Sequence, residues 1–145
     1  MARIEESVDI ECPVDKVFLY TTEANNWPNW QTIIVEAEKT SQEPVRVGTT
    51  FRGVTRMMGL SMKWTAKATE YEPNSKWCKA IDSGSIKIDE YMTYKVRDGV
   101  VRFAIVYDMK VGGLFWLFSP MIVSTMRKET KKSLIQLKNI LESKA

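Results

Sequence analysis

The spacing of apolar residues changes once along this chain, and that change constrains the fold more than any other feature of the sequence. Between Ile4 and Met109, several segments place apolar side chains at every second position, the pattern of strands with one covered face. From Val123 to Leu141 the spacing becomes three or four residues, the pattern of an amphipathic helix. We therefore predict an α+β fold in which a sheet is followed by one long C-terminal helix.

Short turns separate the predicted strands, which favours consecutive antiparallel pairing. Met58-Gly59 and Asp98-Gly99 are typical of tight hairpin turns. After the first strand, Pro13 predicts the start of a short helix that runs to about Tyr20. A second short helix or turn is predicted over Ala24–Trp30. Together these patterns predict a curved antiparallel sheet of six to seven strands that grips the long C-terminal helix, with two short helices after the first strand. The predicted strands are Ile4–Ile10, Ile33–Glu38, Thr49–Met57, Leu60–Tyr71, Trp77–Ile81, Ile86–Val96 and Val101–Met109.

Length and composition narrow the function classes. A chain of 145 residues has the size of one domain, so we expect a single domain over residues 1–145. It contains no histidine, which excludes triads of the Ser-His-Asp type and histidine metal sites. Two cysteines without ligand spacing add no metal site, and we expect neither metal nor cofactor. A net charge of +3, spread along the chain, does not indicate nucleic-acid binding. The N-terminus lacks an apolar signal region, so we expect a cytoplasmic protein.

Several short motifs follow one another in an order that resembles a known superfamily. They are Val8-Asp9-Ile10-Glu11-Cys12-Pro13-Val14-Asp15-Lys16-Val17-Phe18, Trp27-Pro28-Asn29-Trp30, Val47-Gly48-Thr49-Thr50-Phe51-Arg52, Ala68-Thr69-Glu70-Tyr71-Glu72-Pro73 and Gly112-Gly113-Leu114. With the predicted element order, they resemble the START and polyketide cyclase-like (SRPBCC) superfamily, whose fold is called the helix grip. The resemblance covers essentially the whole chain.

This resemblance implies a cavity between the sheet and the long helix. Members of the superfamily use that cavity to bind or transfer lipids, sterols, quinones, hormones or polyketides, and a minority are cyclases or dehydratases. Fold alone does not choose among these functions. Our leading expectation is a monomer or homodimer that binds, and in one version transports, a small hydrophobic or amphipathic ligand such as a lipid or quinone. The alternatives are a metal-free cyclase or dehydratase, and a regulatory module that binds a protein.

The inward strand positions supply the candidate ligand-binding residues. Cavities for small molecules are mostly apolar, and flexible methionine side chains adapt to irregular ligands. The other interpretation of these positions is a packed core. The candidates are Trp30, Met57, Met62, Trp64, Met92, Tyr94, Phe103, Tyr107, Leu117 and Met121.

Two carboxylates share the inward phase of their strands. Glu90 follows the phase of Ile86 and Met92, and Glu70 follows that of Trp64. A buried carboxylate needs a partner, for which Lys79 or Arg52 is the candidate. If the chain catalyses a reaction, Glu90 with Tyr94 or Tyr107 is the candidate pair for proton transfer. The alternative is that both carboxylates lie in water near strand ends.

The run Leu114–Phe118 is the most apolar segment of the chain. One interpretation makes it the wall and entrance of the cavity, at the start of the gripping helix. A cluster of this size is also sufficient for a peripheral membrane contact or a dimer surface, because soluble monomers seldom expose one. The basic residues around Arg127 and Lys128 are consistent with anionic headgroups or with a solvated helix face.

Overall fold

The computed structural model describes residues 2–143 and contains the predicted succession of elements. Its seven strands are β1 (Ala2–Ile10), β2 (Ile34–Lys39), β3 (Thr50–Met57), β4 (Leu60–Glu72), β5 (Lys76–Asp82), β6 (Ile86–Arg97) and β7 (Val100–Val111). Its α-helices are α1 (Val14–Thr22), α2 (Trp27–Trp30) and α3 (Ser119–Ser143), with 3-10 helices at Ala24–Asn26 and Gly113–Phe118. The predicted α+β class, strand number, short helices and long C-terminal helix are confirmed.

The strands form one antiparallel sheet in the order β1-β7-β6-β5-β4-β3-β2. Neighbours along the chain are neighbours in the sheet from β2 to β7, because short turns join them. The first strand lies beside the last one. Left-handed backbone at Met58 and Gly59 closes the β3–β4 hairpin, and the same conformation at Asp98 and Gly99 closes the β6–β7 hairpin. Both predicted tight turns are confirmed.

The register of the central strands sets three polar residues in one row. Glu90 on β6 lies opposite Lys79 on β5 and opposite Tyr107 on β7. Side chains that lie directly opposite on adjacent strands point to the same face of a sheet. All three are buried on the inner face of the sheet.

Helix α3 buries one stripe of side chains. Its fully buried members are Ile122, Met126, Thr130, Ser133, Leu134, Leu137 and Leu141. This is the predicted stripe with two differences: Ser133 is buried as well, and Ile122 is buried whereas Val123 is only half-buried. The predicted 3.6-residue spacing of the last helix is therefore confirmed from Met126 onward.

The tryptophan corner fills one half of the concave face. The Trp27 indole N–H donates a hydrogen bond of 2.8 Å to the Thr21 carbonyl, which fixes the 3-10 helix and α2 against α1. Trp27 packs against Phe51 and Trp77, and Trp30 packs edge-on against Phe103. These indoles therefore fill much of the space beneath α1 and α2.

A β-bulge in β4 corrects one sequence expectation. The pairing of β4 with β5 shifts between Ala68 and Glu70, and each such shift moves the following side chains to the other face. Glu70 is therefore half exposed and pairs with Lys76, with Nζ to Oε1 at 3.2 Å. Of the two alternatives for Glu70, the one that places it in water near a strand end is confirmed and the inward one is wrong. The suggestion that Arg52 partners a buried carboxylate is also wrong, since Arg52 pairs with exposed Glu38.

Candidate functional site

A cavity lies between the inner face of the sheet and α3. Its volume is about 70 Å³, and its wall is mostly apolar. The apolar lining consists of Ile33, Ile34, Met57, Met62, Trp64, Ile81, Ile86, Ile88, Met109 and Met126. The polar lining consists of Gln31, Thr55, Lys79, Ser83, Glu90 and Tyr107. An apolar space with a few converging polar groups is the usual composition of a small-molecule site.

A second chamber adjoins this inner cavity. It measures about 230 Å³ and shares the side chains of Met57, Met62 and Ile86 with the inner cavity. The remainder of its wall comes from the β3–β4 hairpin and from the segment that precedes and begins α3, with Met58, Leu60, Phe115, Phe118, Met121 and Ile122. Three common side chains, two of them methionines, therefore separate the two spaces.

A buried ion pair forms the polar end of the inner cavity. Lys79 Nζ lies 2.7 Å from Glu90 Oε1, and the two side chains are only 4% and 2% exposed. The ammonium also lies 3.7 Å from the ring centre of Trp27 and 4.8 Å from that of Trp77. Negative ring faces attract a cation, so both indoles help to hold the charge of Lys79 away from water.

Burial controls the protonation of the neighbouring groups. Desolvation lowers the pKa of Lys79, and the Glu90 carboxylate offsets part of that decrease. Desolvation raises the pKa of the Tyr107 phenol well above its ordinary value, and the charge of Glu90 raises it further. Tyr107 therefore keeps its proton at neutral pH and remains a hydrogen-bond donor in the cavity.

One buried donor in the cavity wall lacks a hydrogen-bond partner among the described residues, namely Nε2 of Gln31. Oε1 of Glu90 already has the ammonium of Lys79 at 2.7 Å, so its charge is compensated within the ion pair. An unsatisfied buried donor costs about 1–3 kcal/mol, so Gln31 favours a bound molecule or water that accepts a hydrogen bond.

The structure brings some of the predicted residues together and separates others. Met57, Met62, Trp64 and Tyr107 line the inner cavity, as does Glu90. Met121 is exposed but lines the outer chamber. Leu117 is 72% exposed and lines neither space.

Four other candidates are buried outside the cavity lining. Trp30 and Phe103 contact each other in the core. The Trp77 indole N–H donates to Met92 Sδ at 3.2 Å, and the Tyr94 hydroxyl lies 2.5 Å from Thr21 Oγ1 on α1. The alternation of side chains along a strand predicts which face of the sheet a residue occupies, but not how far along the sheet it lies. These four residues pack against α1 or against buried tryptophan side chains. Tyr94 is thus separated from the Glu90–Tyr107 pair.

Several lining residues were not among the sequence candidates. Gln31 follows the tryptophan corner directly, and its backbone N–H donates to the Trp27 carbonyl at 2.8 Å. A polar residue after two buried indoles is the only local signal for it. Three isoleucines share the inward face with Glu90, namely Ile81, Ile86 and Ile88. They were missed because the sequence candidates were chosen for being methionine or aromatic residues.

No group of three or more histidine, cysteine, aspartate or glutamate side chains within residues 2–143 is arranged to hold a metal ion. Over the same residues, no helix combines the length and apolar character needed to cross a membrane.

Comparisons with known proteins place this geometry in a family. The sequence model of the family described as polyketide cyclase / dehydrase and lipid transport matches residues 1–142. The chain belongs to this family. Membership confirms the resemblance to the START and polyketide cyclase-like superfamily, and it supports a ligand-binding or cyclase-like role. No curated protein matches the chain by sequence.

Several solved structures share the fold at low sequence identity. The Zhui aromatase/cyclase from Streptomyces sp. R1128 superposes with a TM-score of 0.85 at 11% identity, covering 99% of this chain and 94% of that one. The protein TTHA0849 from Thermus thermophilus gives 0.84 at 14% identity and 99% coverage of both chains. A START superfamily protein from Mycobacterium smegmatis gives 0.72 at 13% identity, covering 98% and 95%. At these identities the comparison establishes the fold of the family member described here.

Proposed function

We propose that this family member binds a small amphipathic molecule, such as a lipid or a quinone, with its polar end beside Lys79 and Glu90. The observation that carries the proposal is the buried Gln31 Nε2 donor, which lacks an acceptor in the wall of a mostly apolar space that also holds the Lys79–Glu90 ion pair. A ligand oxygen that accepts this hydrogen bond would satisfy the donor, whose burial without a partner costs about 1–3 kcal/mol.

The charge of the polar end favours a neutral head group. Lys79 and Glu90 form a balanced pair in which the ammonium already lies against two indole rings. A charged head group would add an uncompensated charge to a buried site, which is strongly unfavourable. A hydroxyl or a carbonyl group adds none and still hydrogen-bonds.

The apolar part of the ligand is expected to extend toward the outer chamber. The inner cavity of about 70 Å³ holds little more than a head group, since drug-sized ligands occupy roughly 300 Å³ or more. Met57 and Met62 lie between the two spaces, and their unbranched side chains change rotamer at low cost. A ligand that displaces them spans both chambers and ends at the Phe115 and Phe118 side chains.

Native mass spectrometry of freshly purified protein tests the proposal, followed by extraction and identification of any retained molecule. We expect one defined amphipathic compound with a neutral oxygen-bearing head. Met62→Trp should reduce retention, because the larger ring fills the passage between the chambers. Ile135→Trp is the matched control, since Ile135 is exposed on α3 away from the cavity. Equal retention by both variants, or a wild-type protein that takes up no amphipathic compound, would contradict the proposal.

A cyclase-like or dehydratase-like reaction is the second candidate, and one observation favours it. Glu90 and Tyr107 lie directly opposite each other and both line the cavity. In this arrangement the carboxylate accepts a proton from carbon next to a carbonyl, while the phenol donates a hydrogen bond to the enolate oxygen. Turnover of a poly-β-carbonyl thioester should fall at least a hundredfold in Glu90→Gln and in Tyr107→Phe. Tyr94→Phe should retain it, because Tyr94 lies outside the cavity; no turnover by the wild type would exclude this candidate.

A further inference from the structure

We propose that the mouth of the outer chamber docks on the surface of an anionic lipid bilayer. The docking surface is an apolar rim, which we define as the exposed side chains of Met58, Leu60, Leu114, Trp116, Leu117, Phe118 and Met121. This inference adds an interaction surface to the proposed ligand site, and it depends on residues that do not line the inner cavity.

The rim comes from two parts of the chain that meet at the outer chamber. Met58 and Leu60 belong to the β3–β4 hairpin, and the other members lie in or just after the 3-10 helix Gly113–Phe118. Met58, Leu60, Phe118 and Met121 line the outer chamber together. The other three members precede Phe118 in the same 3-10 helix. Trp116 and Leu117 are 64% and 72% exposed, although large apolar side chains normally cluster inside a soluble domain.

The two sequence segments that carry the rim contain charges of one sign only. Residues 56–63 and 110–128 contain Arg56, Lys63, Lys110, Arg127 and Lys128 and no acidic residue. None of these five cations forms an ion pair within residues 2–143. Arg127 lines the same surface depression as Trp116, so at least one of these charges lies directly beside the rim.

An anionic bilayer matches both properties of this surface. Indole and aliphatic side chains insert into the boundary between headgroups and acyl chains, and neighbouring lysine and arginine side chains attract anionic headgroups. An apolar ligand leaving the outer chamber at this rim would enter acyl chains directly and would not cross water. A protein partner or a second copy of the chain is the competing occupant, and the experiment below separates them.

The distribution of tryptophan provides an internal probe of docking. Trp27, Trp30, Trp64 and Trp77 are buried, so Trp116 is the one tryptophan of the five that is accessible from outside. We expect a blue shift of tryptophan emission on adding vesicles of 30% phosphatidylglycerol in phosphatidylcholine. Acyl-chain-brominated phosphatidylcholine should quench the shifted emission, and Trp116→Phe should remove both signals while retaining sedimentation with the vesicles.

Variants test the two components of the surface separately. Trp116→Ser combined with Leu117→Ser should weaken binding to the anionic vesicles by about tenfold or more. Lys110→Glu combined with Lys128→Glu should weaken it several-fold and reduce its sensitivity to salt. Leu19→Ser and Lys95→Glu are the matched controls, because both residues are exposed, Leu19 on α1 and Lys95 near the opposite end of β6. Neither control should change vesicle binding.

Three results would overturn the proposal. They are no sedimentation with anionic vesicles, equal binding to pure phosphatidylcholine, and a concentration-dependent dimer in which Trp116 becomes protected without lipid. Ligand retention in native mass spectrometry is measured in the same variants without vesicles. Loss of docking with retained ligand therefore falsifies only the surface assignment, whereas loss of ligand with retained docking falsifies only the cavity assignment.

Discussion

Lys79 Nζ lies 2.7 Å from Glu90 Oε1 across β5 and β6, with both side chains almost completely buried. Two opposite charges in the interior are stable only together, because each one alone would be a desolvated charge without compensation. The same ion pair therefore contributes to the stability of the sheet and forms the polar end of the cavity.

Removal of one partner of this pair should be strongly destabilising. We expect Lys79→Met to lower the free energy of unfolding by about 3–5 kcal/mol and Glu90→Leu by a similar amount. The double variant should be far less destabilised than the sum of the two, since it leaves no isolated charge. Urea unfolding of the four proteins gives the coupling free energy. Additive losses would show that the two side chains do not interact.

Gly53 on β3 should not tolerate a side chain. A Cβ built there would lie 2.3 Å from Trp64 Cζ2 and 2.4 Å from the Glu36 carbonyl oxygen. Gly53→Ala must therefore displace the indole that walls the cavity, and overpacking of this kind costs about 1–3 kcal/mol. Gly99→Ala is no suitable control because Gly99 has positive φ, so Thr55→Ala on the same strand is used. Thermal unfolding that leaves Gly53→Ala as stable as Thr55→Ala would contradict this contact.

Tyr94 and Tyr107 should differ in their effect on ligand although both are buried. Tyr94→Phe removes a hydrogen bond to Thr21 and should lower the free energy of unfolding by about 1 kcal/mol without altering retention of a bound molecule. Tyr107→Phe removes a donor from the cavity and should reduce retention. Unfolding and native mass spectrometry are measured in parallel on the two variants. If Tyr94→Phe lost more bound ligand than Tyr107→Phe, the ligand site would not lie beside Tyr107.

The pH dependence of stability should carry a contribution from Cys78. Burial raises the pKa of this thiol to about 12 from 9.0, and the neighbouring Glu70 carboxylate contributes to the increase. Above pH 9 the unfolded thiol loses its proton while the folded one keeps it, so the unfolded state binds fewer protons and stability falls as pH rises. The contribution is fully present below pH 9. Wild type should therefore lose more stability than Cys78→Ala between pH 8 and 10.5, and parallel pH profiles would refute the effect.

Much of the fold could be predicted because local signals and burial agree along most of the chain. Val101, Phe103, Ile105, Tyr107 and Met109 are buried as their alternation predicts. The two hairpin turns have the left-handed backbone that their residues favour. The inward alternative for Glu70 was wrong because a bulge has no signature in a pattern of alternating side chains.

The candidate site was predicted less completely. The inward position of Glu90 could be predicted from the alternation of its strand, and Lys79 could be named as its partner. Whether an inward residue lines the cavity or the packed core depends on where the tryptophan corner packs against the sheet. That packing is a tertiary property, so Trp30, Met92, Tyr94 and Phe103 were indistinguishable from Met57 or Met62 in the sequence. Leu117 precedes the start of α3 at Ser119 and lines neither chamber, which the sequence pattern also did not predict.

The methyl groups of methionine test the central claim most directly, because they report on both chambers and on the core in one spectrum. Protein labelled at the methionine methyl carbon is titrated with 1-decanol, which has a neutral hydroxyl head and an apolar chain. We predict saturable shifts for Met57, Met62, Met109 and Met126, which line the inner cavity, and none for Met92, which is buried under Trp77. Unchanged cavity methyl signals at saturating 1-decanol, or shifts as large at Met92 as at Met62, would contradict a ligand site between the sheet and α3.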